Sequence, residues 1–463
     1  MSGKARHAHW LAGIALLVVG AGCTVEAQEV TLDDAQVEDL VRRSYPYVAM
    51  YNVNNKFALS QGGWNTVRAD THLKDHTLSD IARPNNDTLY VGCLLDLRKD
   101  AVVLELPAFD SDYVSLMITG YDHYVSVTRS TRQGDFRAPE RLLVHSARTQ
   151  GYDGAPVEGV DGTFEATGDF VSAVLRVMPH ANEPERYARI VDQMQSVRLT
   201  TLSELRGGEA PELGDVDFPP VGKTDLDVFE HNLLPVMQFV FDHTTFDPDD
   251  GIDRGLLDAY APLGVVPGAG LAAEGLAEVD GARLRHAAER LSAEVLARMA
   301  DPRQATADML GLFRPKGHMT VDLLLVQSVI GPLGLPAVEA VYPPVTSADG
   351  EPLNALHDYV VRMGPDELPP AGAFWSLTLY DLENGFFVPN ERRKYSVGVN
   401  SGMRLDEQGG IAIHVAAEPP AGVPPENWLP IVRADEDLSL TLRIYVPDLE
   451  RMKTWKPPVA ERR

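Results

Sequence analysis

The chain has 463 residues, of which 44% are hydrophobic and 23% charged, the composition of a globular protein long enough for two or three domains. Its 67 acidic and 41 basic residues leave a net charge of −26, spread along most of the sequence rather than gathered in one tail. That balance serves solubility and argues against nucleic acid and anionic membrane surfaces as electrostatic partners.

At the N-terminus Lys4 and Arg6 precede an apolar run over residues 11–19, followed by Gly20, Ala21, Gly22 and Cys23. The run is too short to cross a hydrocarbon layer of about 30 Å, so residues 1–27 read as a secretory signal peptide. Two cleavage points fit. Cleavage before Cys23, in a sequence like a bacterial lipobox, gives a lipoprotein of the periplasm or outer membrane that touches the membrane only through a lipid on Cys23. Cleavage after Ala27 releases a soluble protein instead. Either way Cys93 has no partner in the mature chain, and its apolar surroundings mark a buried small hydrophobe rather than a reactive thiol.

Asp33 and Asp34 are placed to cap a helix running towards Arg43, which Pro46 is expected to end or kink. From residue 85 to about 179 apolar and polar residues alternate between turn residues, over 101–106, 113–119, 124–129 and 170–178, as in an antiparallel sandwich or barrel. From 184 to about 335 the period becomes helical. Tyr187, Ile190, Val191 and Met194 repeat at three and four residues, as do Leu284, Ala287, Ala288, Leu291 and Val295. After Tyr342, Pro343 and Pro344 strands return over 374–380, 396–399, 410–415 and 438–446. The expected division is an N-terminal β domain with a leading helix at 30–182, a helical section at 183–340 and a C-terminal β domain at 341–463.

The densest polar motif is Arg83-Pro84-Asn85-Asn86-Asp87-Thr88-Leu89-Tyr90. The C-terminal part carries a second set: residues 374–381 (Phe-Trp-Ser-Leu-Thr-Leu-Tyr-Asp), Val388-Pro389-Asn390, Asn427-Trp428-Leu429-Pro430 and Arg443-Ile444-Tyr445-Val446-Pro447. Together, in this order, they resemble the paired bacterial families called domains of unknown function 1254, over about 45–179, and 1214, over about 342–458. The resemblance implies an α+β fold of two jelly-roll-like antiparallel β barrels or sandwiches with a mainly helical section between them. It also implies homo-oligomers built from paired barrels, but no agreed reaction and no known cofactor.

Within the first motif Arg83 offers a planar fork for a carboxylate or phosphate, Asn85 and Asn86 offer amides, and Asp87 can orient the arginine or act as a base. Arg83 and Asp87 are therefore the candidate catalytic pair, with Tyr90 and His123 completing the wall. The structural reading is that Asn and Asp hold a turn while a buried pair of Arg83 and Asp87 locks the entry to a strand. Trp375, Tyr380 and Asn390 are candidate ligand contacts of the second domain, where rings alternate along a strand. His72 and His76, four apart, would share a face of a helix and are a weak candidate metal pair lacking the intervening Glu of a zinc protease. No Gly-x-Ser-x-Gly elbow appears, and Ser376 and Ser401 lack a local base. Two functions follow as expectations: binding or processing of a small polar molecule in the N-terminal barrel, or a non-catalytic envelope protein assembling through its barrels.

Overall fold

The computed structural model describes residues 30–78, 83–270 and 276–463, the side chains of residues 300, 302, 303 and 306 excepted. The signal segment and Cys23 lie outside the described residues.

Helix α1 (Asp34–Gln61) begins as the sequence suggests, at a capping box. The Asp33 carboxylate accepts from the Gln36 amide while the Gln36 side chain accepts from the Asp33 amide, both at 2.9 Å. It does not stop at Pro46. Tyr45, Tyr47, Val48, Met50 and Tyr51 around the proline are all buried, and burial of several large side chains, at about 25 cal/mol per Å², outweighs the ~3 kcal/mol cost of an interior proline. The helix ends at Gly62, whose φ of 91° is the left-handed conformation that glycine adopts freely and whose amide reaches the Ala58 carbonyl.

Nine strands form the first β unit: β1 (Thr66–Asp70), β2 (Leu89–Asp96), β3 (Val102–Leu106), β4 (Val114–Thr119), β5 (Val125–Ser130), β6 (Glu140–Ser146), β7 (Gly162–Ala166), β8 (Phe170–Val177) and β9 (Arg198–Thr201). They make two sheets, β1-β2-β8-β4-β5 and β7-β6-β3-β9, antiparallel except for the β6–β7 pair. One core fills the space between them, with Leu89, Val91, Cys93 and Leu175 facing Val102, Leu104, Leu142 and Val144. Helix α2 (Pro184–Gln195) adds Ile190 and Met194 to that core, and β9, within the stretch whose period reads as helical, returns to pair with β3. Cys93 is fully buried here, and burial pushes its thiol up to about 12, the state of an inert thiol.

Because side chains alternate along a strand, Tyr90, Ser115, Met117, Ser172 and Arg176 point to the other face of the five-stranded sheet. Part of that face is covered by a helical layer: α1 with α4 (Asp225–His231), α5 (Leu233–His243), α6 (Gly251–Tyr260), α7 (Gly281–Ala300) and α9 (Val321–Ile330), in a core that takes Met117 and Phe170 from the sheet and Tyr121 from the β4–β5 turn. Two short helices, α3 (Leu202–Leu205) and α8 (Pro302–Met309), join these pieces. No described helix is long and apolar enough to cross a membrane.

The second β unit contains β10 (Ala340–Val341), β11 (Pro344–Val345), β12 (Leu353–Asn354), β13 (Tyr359–Met363), β14 (Ala371–Asp381), β15 (Ser396–Gly398), β16 (Ile411–Ala416), β17 (Trp428–Pro430), β18 (Asp437–Pro447) and β19 (Ala460–Arg462), with α10 (Leu449–Met452) near its end. Its sheets run β10-β18-β14-β15, with β11 and β12 also on β18, and β17-β16-β13-β19. Trp375, Leu377, Leu379, Leu440 and Leu442 pack against Tyr359, Val361, Ile413 and Val415 between them.

The fold is thus mixed α and β with the helical stretch between two β regions, but among the described residues no sheet closes into a barrel. In each unit the apolar face of one sheet is covered by its partner sheet, so closure is not needed to bury it.

Candidate functional site at the junction of the two sandwiches

The chain re-enters the described structure at Arg83, which holds a φ of 51° while its amide donates to the Gly385 carbonyl at 2.7 Å. Asn85 then accepts from the Asp87 amide at 2.7 Å, an Asx turn that presents the Asp87 carboxylate to the outer face of the β14–β18 ladder. On that face the register sets Ser376 beside Arg443, and Thr378 beside Thr441. Ser376 Oγ donates to Asp87 Oδ2 at 2.6 Å. Arg443, only 4% exposed, donates to Thr378 Oγ1 at 2.8 Å, to the carbonyls of Arg83 and Pro84 at 3.0 and 3.2 Å, and to the Tyr380 hydroxyl. Tyr380 in turn donates to the Pro84 carbonyl at 2.7 Å, and Asn400 donates to the Asp87 carbonyl. The Asn85 amide nitrogen reaches the hydroxyls of Tyr90 and Tyr445, both at 3.0 Å.

The N-terminal sheet contributes a row in register across three strands, Tyr90 on β2, Arg176 on β8 and Ser115 on β4. Arg176 is 4% exposed and its guanidinium sits 5.7 Å over the Tyr90 ring. Its Nη2 donates to the Leu333 carbonyl at 2.7 Å, whereas its Nη1 is buried without a hydrogen-bond partner. Tyr342 stands within electrostatic reach of Arg176, Arg443, Tyr90 and Asp87. Burial raises its phenol, and the two guanidinium groups pull against that rise. Burial likewise holds the Tyr445 phenol well above its ordinary value, reinforced by the Asp87 charge. Asp87 is 1% exposed, and burial pushes its carboxyl up against the opposing pull of Arg443 and the Ser376 hydrogen bond.

Two buried guanidinium groups, one carboxylate and the phenols of Tyr90, Tyr342 and Tyr445 therefore converge between the sandwiches, and Asn85, Tyr90 and Tyr342 keep part of their surface open. Such a group of donors can hold a small planar anion. It is not arranged for acyl transfer, because the Ser376 hydroxyl is buried and bonded to a carboxylate rather than to a base aimed at a substrate.

Residues 64–201 match a family described as a protein of unknown function (DUF1254), and residues 339–449 match a second described in the same words (DUF1214). The chain belongs to the paired DUF1254 and DUF1214 family. No curated protein matches it. The fold is similar to that of the VPA0106 protein from Vibrio parahaemolyticus, with a TM-score of 0.68 and 22% identity over 92% of this chain and all of that one. A putative uncharacterized protein from Burkholderia cenocepacia is 12% identical over 93% of this chain and 95% of its own, at a TM-score of 0.43.

Of the residues singled out in the sequence, the junction between the DUF1254 and DUF1214 units gathers Asn85, Asp87, Tyr90 and Tyr380. Arg83 contributes backbone rather than charge: its side chain is exposed, and it does not pair with Asp87. Asn86 is buried nearby with its side-chain oxygen unpartnered. His123 lies elsewhere. Ser115 is level with Arg176 and Tyr90, and β4 runs from there through Thr119, about 13 Å away, before the turn that carries His123. There both His123 nitrogens are engaged, by Ser328 Oγ and the Pro332 carbonyl, each at 2.8 Å.

Trp375 faces the opposite way from Ser376, into the DUF1214 core. Asn390 holds its own loop through the carbonyls of Val388 and Lys394, at 3.2 and 2.9 Å. The segment of His72 and His76 is not helical, so the shared helical face does not exist; His72 lies against Thr71 and His76 bonds the Tyr395 hydroxyl at 2.7 Å. Among the described residues no group of three or more His, Cys, Asp or Glu side chains is placed to hold a metal.

Arg176, Tyr342, Arg443 and Tyr445 were missed as site residues. The signal was present in Val174-Leu175-Arg176-Val177 and Leu442-Arg443-Ile444-Tyr445: an arginine inside an otherwise apolar strand run has to be buried with partners, because a lone buried charge is too costly.

Proposed function

We propose that the protein binds a small molecule bearing a carboxylate or similar planar anionic group at the junction of its two sandwiches, rather than inside the N-terminal one. The observation that carries this reading is Arg176 Nη1, a buried cationic donor with no partner, set beside the Tyr90 ring and within reach of Tyr342. A bound anion would take Nη1 as its charged anchor, the phenols would supply further donors, and Arg443, engaged by Thr378, Tyr380 and the Arg83 and Pro84 carbonyls, would stay committed to the protein. The test is thermal unfolding in formate, acetate, malonate, citrate and phosphate at matched ionic strength, for the wild type and Arg176→Gln. At least one carboxylate is expected to raise Tm in the wild type only. Equal response of the two proteins, or none in either, would reject an anion site at Arg176.

The second reading, a domain fastener without a ligand, draws on the bond of Asp87 to Ser376 and on the engagement of Arg443 with protein groups. A null result in the anion series selects it.

Residues 1–27 support an extracytoplasmic location, and Cys23 a lipid anchor. Mass spectrometry of the mature N-terminus checks this; the anchor predicts a lipid-modified Cys23, and an unmodified start at Gln28 excludes it.

A further inference from the structure

The hydrogen bonds around Asn85 run in one direction only, and that direction frees two more donors at the junction. Asn85 Oδ1 accepts from the Asp87 amide at 2.7 Å, and a backbone amide can only donate, so the oxygen faces the turn and Nδ2 faces the phenols. Nδ2 lies 3.0 Å from the Tyr90 hydroxyl, 3.0 Å from the Tyr445 hydroxyl and 3.1 Å from Thr88 Oγ1. An amide nitrogen cannot accept, so each phenol oxygen receives a hydrogen there and its own proton turns elsewhere. Among the described residues nothing accepts either proton. Tyr445 is fully buried, so bulk water does not take its proton, and its ring is held in a stack on Phe374 with centroids 4.1 Å apart. Because both oxygens sit 3.0 Å from one nitrogen, they lie within about 6 Å of each other, close enough for one small ligand to meet both.

The charges at the junction decide what can accept from these phenols. Arg176 and Arg443 face one carboxylate, Asp87, whose Oδ2 is taken by Ser376. Glu339, which bonds the Tyr113 hydroxyl, is already paired with Arg132 and Ser130. Two guanidinium groups against one carboxylate leave a place for one more negative charge. A neutral amide would bring its own N–H groups against these donors, whereas a carboxylate only accepts.

We propose that Asn85 is the positioning residue of the junction site: by donating to both phenols it makes Tyr90 and Tyr445 a pair of donors, which with Arg176 Nη1 select a monocarboxylate over the corresponding neutral amide. This rests on the anion reading given above and names the ligand class of the same site.

The experiment follows Tm of the whole protein at pH 7 against acetate concentration, with chloride holding the ionic strength constant, and repeats the series with acetamide and with malonate. Acetate is expected to raise the wild-type Tm in a saturable way and acetamide to leave it unchanged. Tyr445→Phe keeps the shape of the site and should weaken acetate by about tenfold, the size of one hydrogen bond to a charged group. Asn85→Asp keeps an oxygen for the Asp87 amide but sets a second oxygen against the phenols, which then donate to it. That variant should lose the acetate response while its Tm in chloride stays close to the wild-type value, a separation that a merely structural Asn85 would not give. Acetate binding of wild-type strength in either variant, acetamide acting like acetate, or a response to malonate with none to acetate would overturn the proposal. An acetate response lost in Arg176→Gln but intact in the Asn85 and Tyr445 variants would leave the anion site standing and overturn this inference alone. No response to any anion in the wild type removes both.

Discussion

Asp122 and His123 are neighbours in sequence, both buried, and burial moves their titrations in opposite directions. The Asp122 carboxyl is pushed up from 3.8 to about 6, against the pull of Lys316 and Thr167, while His123 is pushed down from 6.5 to about 4, against its bond to Pro332. Because the Pro332 carbonyl can only accept, His123 Nε2 carries a proton, while the Ser328 hydroxyl lies between His123 Nδ1 and the Leu324 carbonyl, and burial favours the neutral ring. Linkage gives the signs. Folded Asp122 binds more protons than unfolded between pH 3.8 and 6, so its contribution to stability falls as pH rises through that window. Folded His123 binds fewer between pH 4 and 6.5, so its contribution rises with pH. Each is worth about 3 kcal/mol at 1.36 kcal/mol per unit, and in the wild type they oppose each other. Asp122→Asn should therefore gain about 3 kcal/mol more stability than the wild type as pH rises from 4 to 6.5, measured by urea unfolding. Parallel profiles for the two proteins would rule out a raised Asp122. At this scale the sequence offered only part of the site. The Asn85 to Tyr90 motif was visible because its polar residues are contiguous, whereas Arg176 comes level with Tyr90 through a strand pairing and Tyr342 and Arg443 meet the motif from the second β unit, which no local pattern records.

Among the elements, the β14–β15 ladder bears most directly on the junction, since it seats Ser376. Gly398 pairs with Ser376, and its φ of −177° is ordinary extended backbone, so conformational freedom is not why a glycine stands there. Space is. A Cβ at Gly398 would lie 2.7 Å from the Trp375 carbonyl oxygen and 2.8 Å from Ser376 Cβ. Gly398→Ala should force the strands apart, cost roughly 1–3 kcal/mol in denaturant unfolding and loosen the Ser376 to Asp87 bond. An unchanged midpoint would show that the ladder yields without cost. Strands and helices that carry a clean period were legible: the alternation over 170–178 is β8, and the stripe containing Leu284 and Leu291 is α7. The extent of α1 was not, because the local penalty at Pro46 is visible in sequence while the burial that overrides it belongs to the tertiary structure.

For the molecule as a whole, each sandwich keeps its own apolar core, and the two meet through hydroxyls, amides and guanidinium groups together with an apolar contact that includes Tyr113, Met178, Phe374 and Tyr445. Barrels or sandwiches were expected and, among the described residues, open paired sheets are found; alternation reports which face of a strand is buried but not whether the first strand of a sheet meets the last. The order of the units along the chain was legible because a change of hydrophobic period marks it; how they dock was not.

The polar meeting face also bears on assembly in time. The DUF1254 unit leaves the ribosome well before the strands that will cover it, and what it shows while waiting includes the polar row of Tyr90, Arg176 and Ser115 beside Tyr113 and Met178, with the leucines and valines of β2, β4 and β8 already turned inward. An unfinished chain of this design wets part of its open surface and so offers a smaller adhesive one to its neighbours. The last step then selects its register by whether the Arg443 donors find the Arg83 and Pro84 carbonyls, because a misplaced dock leaves that guanidinium buried without them.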